Sequence, residues 1–200
     1  MKHTIFIFTE NRVGLLHRVM VIFTRRGINI ESISASESEV KGVHRYTITV
    51  ESSQEQVVKI VKQIEKQVEV IKAFHHVDKE TVFQEIALYK MPIAALVGEM
   101  NIEQILREHH ARILTIEHDF FVVEKTGHYE DTQALFEVLD QFDLLSFVRS
   151  GRIAIAKEMG NFSEQLELLE EEHKMSEISQ SEINKQLSET KRKAKANYHH

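Results

Sequence analysis

The side chains best suited to holding a small charged molecule gather in residues 9–29 (TENRVGLLHRVMVIFTRRGIN). Asn11 and Gly14 stand where an apolar run, residues 5–8 (IFIF), gives way to an amphipathic segment. Asn29 stands beyond the other end of that segment, after Gly27. An asparagine amide both donates and accepts hydrogen bonds, which suits a ligand carrying a carboxylate and an ammonium. The first N–H groups of a helix lack intrahelical partners and carry partial positive charge, so they attract carboxylates. A glycine at that point lets a ligand come close to the backbone. The same residues admit a plainer reading, with Asn11 capping the helix and Asn29 in a left-handed turn. On spacing alone the plainer reading is the stronger of the two.

Other candidate chemistry is thinner. The stretch 31–39 (ESISASESE) could offer a nucleophile or a phosphorylation patch, but no base can be placed beside it, and an exposed strand face of alternating serines explains it better. Histidines cluster at His75-His76, His109-His110, His118 and His128. Adjacent histidines point to opposite faces of a strand and diverge on a helix, so the spacing disfavours a metal site. The run Glu170-Glu171-Glu172 reads as a solvated helix face. No glycine-rich phosphate loop, G-x-S-x-G or H-E-x-x-H is present. The residues therefore point to binding or regulation, with no catalytic or metal-ligating set.

Composition narrows the classes further. The chain has 200 residues, 42% of them hydrophobic, enough for a core and for one or two domains. Its formal charge of −6, with both signs interspersed, argues against a general nucleic-acid binder. There is no cysteine, hence no disulfide and no thiolate chemistry. No apolar run approaches the length of about 20 residues needed to span a bilayer, and the N-terminus lacks a signal-peptide core. A soluble, cytoplasmic protein is expected.

These residues must be positioned by ordinary elements. Residues 3–9 read as a strand apolar on both faces, so both faces should be covered, one by the domain's helices and the other by a partner surface. Leu16, Val19, Met20 and Phe23 repeat at helical spacing, and Gly27 suits the position just past the helix end. In the next strand the apolar phase changes between Ile28/Ile30 and Ile33/Ala35, which predicts a bulge near Glu31 and Ser32. A turn at 39–42 precedes a strand over 43–51, with Tyr46, Ile48 and Val50 on one face. A helix over 54–66 follows, with Val57, Val61 and Ile64 aligned, and a strand over 68–77 closes the unit.

A second unit has strands over 83–91, 111–116, 120–123, 144–148 and 152–156, and helices over 99–110 and 129–142. Its last strand is either broken or doubled at Ser150-Gly151. The expectation is α+β: two tandem ferredoxin-like βαββαβ domains, 1–78 and 83–157, followed by a polar tail, 158–200, partly helical or disordered. His199 and His200 are native or a remnant of a purification tag.

The stretch Thr9-Glu10-Asn11-Arg12-Val13-Gly14-Leu15-Leu16-His17-Arg18-Val19, with Phe23-Thr24-Arg25-Arg26-Gly27-Ile28-Asn29-Ile30-Glu31-Ser32-Ile33, closely resembles the small, regulatory subunit of acetolactate synthase (acetohydroxyacid synthase). Arg45-Tyr46-Thr47-Ile48, the 63–70 region and Arg149-Ser150-Gly151 also fit that family. The resemblance covers about residues 1–157 and is strongest in the first third. It implies an N-terminal ACT domain that forms a homodimer, with a branched-chain amino acid, usually valine, bound between two such domains, and a C-terminal ferredoxin-like domain.

The resemblance further implies a subunit with no catalytic site of its own, which activates a separate catalytic (large) subunit and makes it sensitive to feedback inhibition in valine, leucine and isoleucine biosynthesis. Thiamine diphosphate, Mg²⁺ and FAD would belong to that catalytic subunit, with no cofactor in this chain. By matched position, Asn11, Gly14 and Asn29 would hold the effector's charged groups, with Leu15, Leu16 and Ile30 beside its side chain. Ile28 departs from the family's usual aromatic, and residues 90–100 lack its Lys- and Arg-rich segment. A free-standing ACT-domain amino-acid sensor is the alternative; a small enzyme is a third reading, for which no reactive set is present.

Overall fold

The computed structural model describes residues 1–97 and 102–158. Expectations for the tail, and the junction between the helices of the second unit, fall outside them. In the first unit the order is β1 (Lys2–Glu10), α1 (Leu15–Arg25), β2 (Ile30–Glu37), β3 (Val43–Glu51), α2 (Gln54–Ile64) and β4 (Val70–Val77). A 3-10 turn, Asp78–Glu80, leads to the second unit: β5 (Thr81–Pro92), α3 (Ala94–Val97), α4 (Ile102–Glu108), β6 (Arg112–Ile116), β7 (Phe120–Gly127), α5 (Tyr129–Leu139), β8 (Ser146–Arg149) and β9 (Ile153–Ala156).

The first sheet is antiparallel with the order β2-β3-β1-β4. Alternation sends Ile5 and Ile7 to one side, where they pack with Val19, Ile22 and Phe23 of α1 and Val57, Ile60, Val61 and Ile64 of α2. The buried stripe of α1 is thus Leu15, Val19, Ile22 and Phe23, one register away from the expected Leu16, Val19, Met20 and Phe23. Leu16 is exposed, and Met20 packs at the margin of the core. The segment offers apolar residues around most of its circumference, so spacing alone admits either stripe, and the sheet selects the one that starts at Leu15.

The phase change in β2 is a register shift between Ile30 and Ser32 against β3. It turns Ser32 and Ser34 to the side opposite the helices, paired with Thr49 and Thr47.

The outer face of β1 holds Phe6 and Phe8, which pack with Val40, Val43, Phe83 and Ala154. Phe83 and Ala154 belong to the second unit. The expected partner surface over this face is therefore supplied by the chain itself. Arg45 reinforces the contact: its guanidinium lies 5.2 Å and 5.5 Å from the Phe6 and Phe8 ring centroids and donates to the Ala154 carbonyl.

The second sheet repeats the plan with the order β6-β7-β5-β8. Ala87, Tyr89 and Met91 of β5 meet Ile102, Leu106, Leu135 and Leu139 of the helices. The Tyr89 hydroxyl donates to the Thr132 carbonyl at 2.6 Å, and burial pushes it up to about 12. The ambiguous last strand is one broken strand. β8 pairs with Ala87–Lys90 and β9 with Thr81–Gln84 of the same long β5, and Ser150 fills the break by bonding the Ile86 backbone in both directions.

Candidate functional site

The loop between β1 and α1 stands clear of the protein. Asn11, Arg12 and Val13 are exposed. Asn11 uses its backbone N–H to reach the Gly42 carbonyl at 3.3 Å. Gly14 is the residue that opens α1, in the left-handed region at φ +83°, and no side chain caps the helix. Asn11 therefore does not act as the cap, and no acidic side chain lies in the first turn. Space is open in front of the Gly14 Cα, where an added Cβ would meet nothing within 4 Å. A helix start with uncapped N–H groups, open space and an exposed amide is equipped to receive a carboxylate. Nearby, Arg18 hydrogen-bonds Glu69 and holds its carboxyl below the usual range.

Asn29 lies elsewhere. β2 runs parallel to β1, since both are antiparallel to β3, so Asn29 and Ile30 enter the sheet at the end where Lys2 begins. The Asn11–Gly14 loop lies at the opposite end. The eleven residues of α1 separate them by roughly 16 Å. Within one chain the sequence candidates thus fall into two separate groups: Asn11, Gly14 and Leu16 at one end, and Asn29 and Ile30 at the other. Leu15 is fully buried in the core, where it anchors the loop and presents no surface. β2 is an edge strand, hydrogen-bonded only to β3 among the described residues.

A second concavity lies between the two units. It is an open cleft of about 720 Å³ with β2 and Thr49 on one side and Glu85, Tyr129 and residues 149–152 on the other. Glu85 lies 3.9 Å from the Arg149 guanidinium and 3.6 Å from that of Arg152. Arg152 is tied to Asp78 at 2.6 Å and lies 3.8 Å over the Phe83 ring. Of these residues, Ser150-Gly151 stood out in the sequence as a strand break and those of β2 as a serine-rich stretch, and Arg149 through a family resemblance alone. Glu85 carries a signal that could have been used: it interrupts the inward phase Thr81, Phe83, Ala87, Tyr89, Met91 of β5 with a charge. Among the described residues, no group of three or more histidine or acidic side chains could hold a metal ion, and no helix is long and apolar enough to cross a membrane.

Comparison with known proteins decides the family. A model described as the AHAS small subunit-like ACT domain matches residues 5–72, and one described as the small subunit of acetolactate synthase matches residues 84–158. A probable acetolactate synthase small subunit of Archaeoglobus fulgidus is 32% identical over 157 residues, covering 78% of this chain and 98% of the relative. The acetolactate synthase small subunit of Bacillus subtilis is 32% identical over 158 residues, covering 78% and 91%.

The chain belongs to the acetolactate synthase small-subunit family.

The crystal structure of the acetolactate synthase small subunit from Thermotoga maritima superposes with a TM-score of 0.71 at 27% identity, covering 80% of this chain and 99% of that one. The first unit of this small subunit is accordingly an ACT domain, and the two βαββαβ units are the family's architecture. The family supplies the non-catalytic, regulatory component of the acetolactate synthase holoenzyme.

Proposed function

We propose that this small subunit activates a thiamine-diphosphate-dependent catalytic subunit and makes it responsive to a branched-chain amino acid, valine first, bound between two ACT domains. The Mg²⁺ and FAD of the holoenzyme belong, with thiamine diphosphate, to the catalytic partner. The observation that carries this reading is the separation of the two groups of candidate residues together with the free edge of β2. If two β2 edges pair antiparallel about a two-fold axis, the start of one strand meets the end of the other. The end of β2 lies at the same end of the sheet as the Asn11–Gly14 loop. Pairing therefore brings Asn29 and Ile30 of one protomer to Asn11, Gly14 and Leu16 of its partner. The effector's carboxylate meets the uncapped start of α1, its ammonium the asparagine amides, and its branched side chain Leu16 and Ile30, with Leu15 beneath. A ligand held this way biases the arrangement of two protomers by its differential affinity, typically about 1–3 kcal/mol.

The geometry suggests a complementation test. Gly14→Asp places a carboxylate where the ligand's own must lie and forces a side chain into a left-handed backbone. Asn29→His removes the amide of the other half-site. Each variant alone is expected to lose the rise in melting temperature that valine gives the parent chain. Mixed dimers of the two variants keep one of their two pockets with both halves intact, and random pairing makes half the dimers mixed, so about a quarter of the valine-binding capacity should return on mixing. Absence of valine, leucine and isoleucine binding to the parent chain by calorimetry overturns the effector assignment; failure of mixing to restore binding overturns the shared pocket. A pyruvate condensation assay of the catalytic subunit with and without this chain checks activation separately, and equal rates would sink that part.

A further inference from the structure

The cleft between the two units holds several polar groups whose hydrogen-bonding capacity is unfilled among the described residues. The Arg149 guanidinium is clamped: it lies 4.3 Å over the Tyr129 ring and 5.1 Å from that of Phe147, and its Nη2 donates to Gln133 at 3.1 Å. Its Nε–H is buried and has no acceptor. Glu85, 8% exposed, stands beyond hydrogen-bonding distance of both arginines, and no described residue donates to its carboxylate. On the facing wall the Thr49 hydroxyl is buried without a partner, and Ser32 lies alongside it. Buried polar groups left without partners cost about 1–3 kcal/mol each, so two of them on facing walls of one cleft, the Thr49 hydroxyl and the Arg149 Nε–H, mark a place where something else can supply the bonds. The wall they share is tight: a Cβ on Gly151 would come 3.0 Å from both the Ile33 carbonyl and the Ser34 Oγ.

We propose that this cleft is a second small-molecule site, separate from the shared ACT pocket although Ile30 borders both, and that it takes a free α-amino acid with a polar side chain. The charges select the class. The lining sets Lys2, Arg149 and Arg152 against Glu31 and Glu85, with Lys2 and Glu31 3.3 Å apart, so both signs are present in near balance; a simple anion would leave Glu85 unmet, and a simple amine the Arg149 Nε–H. An α-amino acid carries a carboxylate and an ammonium one carbon apart, matching an Arg149 edge and a Glu85 carboxylate 3.9 Å apart. Its side chain then runs over the Thr49 and Ser32 hydroxyls, which favour a hydroxyl or amide over a branched hydrocarbon. The volume is within the usual range for small-molecule sites, about 300–1,000 Å³. The site joins Arg149-Ser150-Gly151 of the second unit to β2 of the first, so its occupant bridges the effector domain and the domain behind it.

Calorimetric titration of the full-length chain with L-glutamine and with L-threonine, each in saturating L-valine, tests this. At least one should bind once per chain in the presence of valine. Arg149→Gln and Glu85→Gln should weaken that binding at least tenfold while valine binding persists. Thr49→Val, nearly isosteric and suited to a strand, should weaken it several-fold with an unchanged melt, which guards against loss of folding in the charge variants. The proposal is overturned if neither amino acid binds, if valine competes for the site, or if Arg149→Gln and Thr49→Val bind as the parent does. Failure of valine itself to bind would count against the ACT pocket and leave the cleft titration readable.

Discussion

The central strands β1 and β5 hold equivalent places in two sheets of the same topology, yet they are buried differently. From His3 to Thr9 every residue of β1 is buried, whereas β5 alternates buried and exposed along its first half. The cause is what lies behind each sheet. β1 has helices over Ile5 and Ile7 and the second unit over Phe6 and Phe8. The corresponding face of the second sheet leaves Val82, Ile86, Val148, Ile153 and Ile155 exposed. The repeated βαββαβ order therefore specifies a helix-covered core twice, but a two-sided core only once. The sheet of the ACT unit lies between its own helices and the second unit, whereas the sheet of the second unit keeps one face partly exposed.

The sharpest way to break that comparison is to truncate matched residues on the two outer faces. Phe6→Ala empties a fully buried site between the units and should destabilise by about 3–5 kcal/mol. Ile86→Ala, at 37% exposure on the other sheet, should cost well under about 1.5 kcal/mol. Urea unfolding of both variants measures the difference, and similar losses would mean that the two faces are covered alike. A smaller effect is expected from Gly151→Ala. The added Cβ meets backbone at Ile33 and must push the units apart by a few tenths of an ångström, for about 1–3 kcal/mol, read in the same experiment.

The smallest effect concerns pH. Burial first, and the neighbouring N-terminus second, lower the pKa of His3 from its ordinary 6.5; burial first and His3 second do the same for His75. The two rings meet edge to face, 5.5 Å apart. The unfolded chain takes up these protons more readily than the folded one, so stability is intact above pH 6.5 and falls as pH drops below it. Asp78 and Glu80 oppose the shift at His3, which keeps the loss modest. Thermal melts above and below that pH should show the decline in the parent chain and a shallower one in His3→Leu. A decline of the same steepness in both would assign it to other groups.

Much of this was readable from residue patterns. The doubly apolar IFIF run announced a strand covered on both sides. The phase change at Glu31-Ser32 announced the bulge, and Ser150-Gly151 the break between β8 and β9. Each is a local rule of strand alternation, so each survives without knowledge of the fold. The buried stripe of α1 was not fixed in the same way. Leu15, Leu16, Met20 and Ile22 are all apolar, and only the sheet beneath decides which of them turn inward. The identity of the second cover over Phe6 and Phe8 was likewise hidden, because Phe83 and Ala154 lie about 75 and 146 residues away and no local pattern reports so distant a contact. Asn11, Gly14 and Asn29 stood out as residue types suited to a charged ligand. Their placement at opposite ends of α1 needed the strand order.

The aromatic underside of β1 has a practical corollary. Cutting the chain after Val77 would free an ACT domain whose Phe6, Phe8 and Phe74 form one bare patch beside the unpaired edge of β2. A sticky face next to an open strand edge is the combination that drives proteins out of solution. The second domain thus acts as a solubility shield for the ACT domain in front of it, and a soluble isolated ACT domain would need those phenylalanines replaced.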